Sequence, residues 1–266
     1  MIIEARDLGR SYGSVTAVEG VSFQMAPGEF FGLLGPNGAG KTTTLHMLAT
    51  FLRPSRGEAR VLGADVAREP ERVRAGIGVV FQEPALDERM TARENLRLHA
   101  VLHRLPWREV RMRIDRTLDW TELGQDGDRL VRTFSGGMRR RLELGRALMH
   151  DPRLLFLDEA TLGLDPQGRR DLWERIDGLR ARGVSVLMTT HNLQEAEACS
   201  RVAIIDGGRM IALGTPQELK ARFAGRADAT LEDVFLELTG RGLRDGEASP
   251  RERIIAFRKR GGELTR

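Results

Sequence analysis

Along this chain, short apolar runs alternate with segments whose apolar positions recur at helical spacing. Five short, almost wholly apolar runs have the length of buried strands, and they span residues 30–34, 77–81, 154–157, 184–188 and 202–205. Runs of this kind are typical of strands that are covered on both faces, as in parallel sheets. Helix-spaced patterns separate most of them. The chain is therefore predicted to adopt an α/β fold with a mainly parallel sheet.

Residues 83–150 have a different pattern, because apolar positions there recur at helical spacing and strand signals are missing. Thr91 and Glu94 have the spacing of a capping box, which predicts a helix start at this point. Pro106 precedes a second helical run that begins at Trp107. We therefore predict a helical segment inserted into the α/β body.

The body is predicted to end near residue 223, and one more helix to follow within residues 224–240. Thr230 is its expected N-cap and Gly240 its expected stop. Its apolar stripe consists of Leu231, Val234, Phe235 and Leu238. This stripe must be buried against the body, a second copy of the chain or a partner protein. Residues 241–266 are expected to be poorly ordered.

Composition narrows the possible functions. The net charge is +4, and residues 241–266 alone carry eight basic and four acidic side chains, so the rest of the chain is neutral. A neutral body argues against a nucleic-acid surface, whereas the basic tail either meets anionic lipid or is simply solvated. No apolar run approaches the ~18 residues of a membrane span, and no signal peptide is evident, so a cytoplasmic location is expected. Cys199 is the only cysteine, which excludes internal disulfides, and it is expected to be buried.

A glycine-rich loop between a predicted strand and a predicted helix is the strongest functional motif. It consists of Gly35, Pro36, Asn37, Gly38, Ala39, Gly40, Lys41, Thr42 and Thr43. In a phosphate-binding loop, glycines allow unusual backbone conformations, backbone N–H groups surround the phosphates, the lysine reaches the β- and γ-phosphates and the next hydroxyl holds Mg²⁺. Lys41 is also the only lysine among the first 219 residues. The alternative is a chance match in a turn.

Polar residues follow the buried strands where a ligand would lie in an open α/β sheet. Asp158 and Glu159 follow one run and are candidates to hold Mg²⁺ and to orient the attacking water, unless they are a surface pair that opens a loop. His191 follows another run and is predicted to face the same site. Gln82 follows a third and either contacts the ligand or is an ordinary loop residue.

Two further candidates are more ambiguous. Ser135, Gly136 and Gly137 precede a helical run and form either a second anion-binding helix N-terminus or an ordinary serine cap. Tyr12 lies in a predicted turn, where its ring either stacks on a nucleotide base or has no such role.

Together these residues resemble the ATP-binding cassette (ABC) ATPases over residues 2–223. The resemblance implies a P-loop NTPase core with a mainly parallel sheet, an N-terminal antiparallel β subdomain and an α-helical subdomain. It identifies Tyr12 with the base-stacking aromatic residue, residues 35–42 with Walker A, Gln82 with the Q-loop and residues 135–137 with the signature. It identifies Asp158 with the Walker B aspartate, Glu159 with the catalytic glutamate and Asp165 with the D-loop.

The resemblance also implies that His191 is the switch histidine, that Lys41 and Gln82 belong to the catalytic set, and that Thr42, Gln82 and Asp158 bind Mg²⁺. This sequence departs from the family pattern at two positions. Met138 replaces the last glutamine of the signature, and Ala160 stands where proline usually follows the catalytic glutamate.

Residues 135–143 and 231–240 look like a narrower branch, the ATPases of ABC-2 type exporters, including those of daunorubicin-type drug resistance. The expected cofactors are ATP and Mg²⁺. The expected partners are integral-membrane permease subunits and a second copy or a paralogous ATPase in a head-to-tail dimer, at the cytoplasmic face of the cell membrane. An importer ATPase, or a soluble cassette protein acting on ribosomes or DNA, stays open as an alternative.

Overall fold

A computed structural model describes residues 1–83, 85–223 and 229–240. Its strands are β1 (Ile3–Tyr12), β2 (Val15–Met25), β3 (Phe30–Leu34), β4 (Arg56–Val61), β5 (Ala64–Asp65), β6 (Ile77–Val80), β7 (Leu154–Asp158), β8 (Ser185–Thr190), β9 (Arg201–Asp206) and β10 (Arg209–Gly214). Its α-helices are α1 (Lys41–Leu48), α2 (Pro70–Gly76), α3 (Ala92–Leu102), α4 (Trp107–Trp120), α5 (Gly136–Leu148), α6 (Pro166–Ala181), α7 (Leu193–Glu197), α8 (Pro216–Phe223) and α9 (Leu231–Thr239).

The smaller sheet is antiparallel and has the strand order β2-β1-β4-β5. The two N-terminal strands are the longest described strands, and β1 and β2 meet at a turn formed by Gly13 and Ser14. Tyr12 is therefore the last residue of a strand and not part of a turn. Two of the four strands, β4 and β5, come from beyond α1, so this subdomain is assembled from two separate stretches of the chain.

The larger sheet has the order β10-β9-β3-β8-β7-β6, and all its pairs are parallel except β9 with β10. The predicted α/β fold with a mainly parallel sheet is confirmed. The strand β3 lies between β8 and β9, and β7 lies next to β8. Because these strands are parallel neighbours, the residues that follow Leu34, Asp158 and Thr190 meet at one edge of the sheet.

Three hydrophobic clusters hold these layers together. One lies between the two sheets and includes Phe31 and Leu45. A second covers the other face of the larger sheet and includes Leu155 and Leu157. The third belongs to the helical segment and includes Leu96 and Ile114. The predicted helices of residues 83–150 are present as α3, α4, α5 and two short 3-10 turns.

The C-terminal helix begins and ends as predicted. Thr230 and Asp233 form a reciprocal capping box, and Gly240 closes α9 with φ of 69°. Of the three alternatives for its apolar stripe, burial against the body is correct, since Leu231, Val234 and Phe235 belong to the cluster on the outer face of the larger sheet. The predicted basic tail, residues 241–266, lies outside the described residues.

Candidate functional site

The glycine-rich loop connects β3 to α1 and leaves the start of that helix without a side-chain cap. Gly40 is the N-cap residue and makes no side-chain hydrogen bond, so the first N–H groups of α1 remain available to a ligand. Gly38 and Gly40 adopt φ of 79° and 101°, values that residues with a Cβ rarely adopt. The loop can therefore surround an anion with backbone N–H groups.

Gly35 is required for a different reason from the one predicted. It is not among the described residues with positive φ, but a Cβ at this position would lie 2.1 Å from the backbone oxygen of Ile205 in β9. The neighbouring strand therefore excludes any side chain here. The turn after β9 holds the loop from the same side, because the N–H of Gly208 donates to the carbonyl of Ala39 at 3.0 Å.

The side chains of Lys41 and His191 converge on Glu159. Lys41 Nζ lies 3.3 Å, and His191 Nδ1 3.4 Å, from the same oxygen of Glu159. The interaction with the neighbouring imidazole of His191 and the charge of Lys41 outweigh burial and lower the pKa of Glu159, so the carboxylate stays ionised. Burial, partly offset by Glu159, lowers the pKa of Lys41. Lys41 also donates to the carbonyls of Gly35 and Pro36, at 2.9 and 3.1 Å.

Asp158, the last residue of β7, anchors a second set of contacts. Thr42 Oγ1 donates to Asp158 Oδ1 at 2.9 Å, and Thr189 Oγ1 donates to the same oxygen at 2.6 Å. The N–H of Glu159 in turn donates to Thr189 Oγ1 at 3.0 Å. A buried carboxylate and a hydroxyl thus lie together beside the phosphate loop, and such oxygen donors suit a hard cation such as Mg²⁺. His46 Nε2 lies 3.7 Å from Asp158 Oδ2.

These residues surround an open cleft of about 520 Å³ at the edge of the larger sheet. It is lined by Ala17, Asn37, Gly38, Gly40, Lys41, Thr42, Thr43, Gln82, Glu159, Leu162 and His191. The structure therefore brings the loop, Gln82, Glu159 and His191 into one cleft of a size suited to a small-molecule ligand.

Ser135, Gly136 and Gly137 lie outside this cleft. Ser135 is the exposed N-cap of α5, and its Oγ accepts from the N–H of Met138 at 3.2 Å. These three residues line two other grooves, one of which also contains Gln82. The ordinary serine cap is therefore present, and the N-terminus of α5 does not line the cleft that contains the chain's own phosphate loop.

Two other candidate residues also lie away from the cleft. Tyr12 is 46% exposed and stacks against the guanidinium of Arg10, whose Cζ lies 4.8 Å from the ring centroid. Asp165 is the N-cap of α6, where its Oδ1 accepts from the N–H of Gly168 at 2.8 Å. It borders the groove that contains Ser135 and Gly137.

Sequence reasoning missed a buried ion pair that connects these parts. Arg140 and Glu143, 5% and 0% exposed, pair at 2.8 Å on the inner face of α5. Arg140 also donates to the carbonyls of Phe81 and Ala160, each at 2.5 Å, and Glu143 accepts from the N–H of Ala85. The spacing of three residues between an arginine and a glutamate on the apolar face of a predicted helix was the available signal.

A second missed residue is Glu195 of α7, which is 3% exposed. Its carboxylate accepts from the hydroxyls of Thr161 and Thr190. Thr161 lies two positions after Glu159, and Thr190 directly precedes His191. Glu195 therefore connects the backbone segment that carries Glu159 to the one that carries His191. Within the described part of the chain, none of the helices has the length and apolarity needed to cross a lipid bilayer.

Comparison with known proteins gives a consistent set of relatives. Residues 18–162 match the family model described as ABC transporter. The chain is 46% identical over 227 residues to the daunorubicin resistance ATP-binding protein DrrA3 of Streptomyces coeruleorubidus, which covers 85% of this chain and 72% of the relative. It is 40% identical over 299 residues to the Nod factor export ATP-binding protein I of Paraburkholderia xenovorans, covering 91% and 98% of the two chains.

A solved structure of an ATP-binding subunit of an ABC transporter has the same fold. It superposes with a TM-score of 0.81 at 33% identity, over 90% of this chain and all of that one.

Proposed function

The chain belongs to the ABC transporter family of ATP-binding subunits, and from this premise we propose the role of each site residue in an ATP-driven exporter. ATPases of this family bind ATP and hydrolyse it to power transport, and this chain is one of them. The observation that carries our assignment of roles is the convergence of Lys41 and His191 on one oxygen of Glu159.

ATP occupies the cleft with its phosphates against the N-terminus of α1. The backbone N–H groups of residues 38–42 and the ammonium of Lys41 bind the β- and γ-phosphates. Glu159, held ionised, orients the attacking water and accepts its proton. His191, 3.4 Å from this carboxylate, contacts the γ-phosphate and keeps the water and phosphate in line.

Thr42, Asp158 and Gln82 would provide the oxygen donors for Mg²⁺. The fit rests on the 2.9 Å contact between the Thr42 hydroxyl and the Asp158 carboxylate, with Gln82 on the wall of the same cleft. When bound, the ion neutralises negative charge on the phosphate oxygens.

The active unit is a head-to-tail dimer. Residues 135–137 lie outside the cleft of their own chain, so an ATP held by one chain's phosphate loop would meet the exposed α5 N-terminus of the partner. That terminus is well suited to the γ-phosphate, because its N–H groups and dipole favour an anion. Tyr12 would stack on the adenine ring, and Asp165, beside the same groove, would border the shared ATP.

The transported substrate is a drug, an antibiotic or another amphipathic small molecule. This assignment is supported by the relatives that are named for daunorubicin resistance and for Nod factor export. The chain works with separate membrane permease subunits at the cytoplasmic face of the cell membrane. We divide it into an ATPase domain, residues 1–223, with a helical subdomain at about 83–150, a short helix within 224–240, and a basic tail, 241–266.

The Glu159→Gln variant tests both the chemistry and the assembly. We expect kcat for ATP hydrolysis to fall by orders of magnitude while ATP binding persists, because the amide cannot accept the proton. Glu174→Gln, an exposed change in α6, is the matched control. A Glu159→Gln enzyme that hydrolyses ATP at near the original rate would contradict the assigned role.

The same variant can be tagged and purified from solubilised membranes in the presence of ATP and Mg²⁺. We expect a multi-span membrane protein to co-purify with it in stoichiometric amounts. Recovery of ribosomes or nucleic acid without a membrane protein would refute the transporter assembly. A permease partnered with an extracellular binding protein would favour import over export.

A further inference from the structure

Three histidines form a compact cluster outside the nucleotide cleft. His99 lies in the last turn of α3, His103 is the C-cap residue that follows this helix, and His150 follows the end of α5. The Nε2 of His99 lies 3.2 Å from the Nδ1 of His150, and the ring of His103 stacks on that of His150 with centroids 3.9 Å apart. One nitrogen from each ring lies within 4.8 Å of the other two. The nucleotide-binding roles use none of these residues.

The orientation of His150 indicates which of its nitrogens is free to bind. Its Nε2 lies 2.9 Å from the carbonyl oxygen of Ile77, and a carbonyl can only accept, so Nε2 carries the hydrogen. Nδ1 then presents its lone pair to His99. A backbone carbonyl that fixes the tautomer of an imidazole is the usual outer partner of a metal-binding histidine.

We propose that His99, His103 and His150 form a binding site for one divalent late transition-metal ion, of the class of Zn²⁺. Two nitrogens on a tetrahedral ion with bonds of about 2.0–2.1 Å are roughly 3.3 Å apart, close to the 3.2 Å between His99 and His150. The third ligand has to move inward by rotation of the half-buried ring of His103. Three imidazoles without a carboxylate favour zinc, copper, nickel or cobalt over magnesium or calcium.

The environment of the three histidines keeps their rings neutral, which favours metal binding, but it also contains a positive charge, which opposes it. Burial, with the neighbouring imidazoles and Arg146 adding to it, lowers the pKa of His99 to about 2 and that of His103 to about 4. The rings are therefore neutral at physiological pH, as metal ligands must be. The positive charge of Arg146 repels a cation, although Glu143, 3.9 Å away, compensates in part. We expect an affinity in the micromolar range, weaker than that of structural zinc sites.

A bound ion would connect two parts of the fold. α3 belongs to the helical segment, whereas His150 is tied to Ile77, the first residue of β6 in the larger sheet. The strand β6 leads to Gln82 in the nucleotide cleft. The metal would hence restrict movement of the helical segment against the sheet that carries the catalytic residues.

The test uses the full chain, freed of metal by chelation and titrated with Zn²⁺ and Co²⁺ in the absence of nucleotide. We expect one zinc per chain by calorimetry, a tetrahedral Co²⁺ absorption spectrum, and a higher melting temperature with zinc. His99→Phe and His103→Tyr retain an aromatic ring for packing but remove one ligand. Each should weaken zinc binding at least about tenfold and abolish the spectrum.

His46→Asn is the control, since it removes a histidine that lies beside Asp158 and not in the cluster. Its zinc stoichiometry should equal that of the wild type. The proposal is overturned if the wild-type chain binds no zinc, or if the two aromatic variants bind it as well as the wild type. The cluster would then be a packing contact between three neutral rings.

Discussion

The guanidinium of Arg140 in α5 donates a 2.5 Å hydrogen bond to the carbonyl of Ala160, the residue directly after Glu159. Glu159 adopts φ of 46°, in the left-handed region that residues with a Cβ seldom occupy. A second donation from Arg140 reaches the carbonyl of Phe81, one residue before Gln82. One buried arginine thus holds the two backbone segments, after β6 and after β7, that carry Gln82 and Glu159.

We predict that Arg140→Met lowers both stability and kcat. The substitution leaves Glu143 fully buried without its closest cation, which should cost about 3 kcal/mol of unfolding free energy. It also releases the carbonyls of Phe81 and Ala160, so the catalytic groups lose their alignment. Urea denaturation and steady-state ATPase kinetics measure the two effects.

The double variant Arg140→Met/Glu143→Leu separates stability from alignment. It removes both charges, so most of the stability should return, while kcat stays low and KM for ATP changes little. If kcat recovers together with stability, Arg140 has only a structural role and does not position the catalytic residues.

Asp158→Asn should raise the Mg²⁺ concentration needed for half-maximal ATPase activity by at least about tenfold. The amide keeps the shape of the side chain but lacks the negative charge that attracts the ion. Binding of a fluorescent ATP analogue in the presence of EDTA should change little. Asp119→Asn, an exposed change at the end of α4, is the control, and an equal Mg²⁺ requirement for both variants would contradict the assignment.

Ser135→Asp separates the two roles of the signature serine. Aspartate is as good a helix cap as serine, so the stability of α5 should be kept within about 0.5 kcal/mol. Its carboxylate would repel the γ-phosphate across the proposed dimer interface. In the Glu159→Gln background, light scattering should show ATP-dependent dimers for the parent and monomers for the Ser135→Asp variant. Dimers of equal stability in both would argue against the head-to-tail arrangement.

Gly35→Ala should abolish ATP binding, because its Cβ would lie 2.1 Å from the Ile205 carbonyl and force the loop away from β9. Gly178→Ala in α6 is the matched control. Nothing lies within 4 Å of an added Cβ there, so alanine in the helix interior should stabilise the fold by roughly 0.5–1 kcal/mol. Thermal unfolding and nucleotide binding of the two variants give the comparison.

The thiol of Cys199 should resist modification while the chain is folded. It is 5% exposed, its Sγ donates to the carbonyl of Glu195, and burial raises its pKa well above the usual range. We expect no reaction with a disulfide reagent at pH 8 in native buffer, and stoichiometric reaction in denaturant. Rapid labelling of the native chain would show that the segment after α7 opens locally.

The buried strands and the residues at their ends were predictable because their signals are local. The runs at β3, β7 and β8 are apolar almost throughout, and parallel strands place their carboxyl ends together. Lys41, Glu159 and His191 could therefore be assigned to one cleft from their positions alone. The capping boxes at the starts of α3 and α9 have an equally local signal in the sequence, since each depends on two residues three positions apart.

The features that the sequence did not predict depend on contacts between distant segments. Nothing near Arg56 indicates that β4 pairs with β1 rather than with a strand of the larger sheet. The clash that requires glycine at position 35 comes from Ile205, 170 positions along the chain. The pairing of Arg140 with Glu143 has a local signal, but its burial follows from tertiary packing around α5.

The position of β3 between β8 and β9 has a consequence for synthesis on the ribosome. The strand that leads into the phosphate loop has no partner in its sheet until residues 185–206 have emerged, and the turn at Gly208 that supports the loop is translated after them. The loop sequence is complete at residue 43, but the strands and the turn that support it are complete only at residue 208. A nascent chain that stalls between these two positions therefore exposes an apolar strand and lacks the support that shapes the loop for nucleotide.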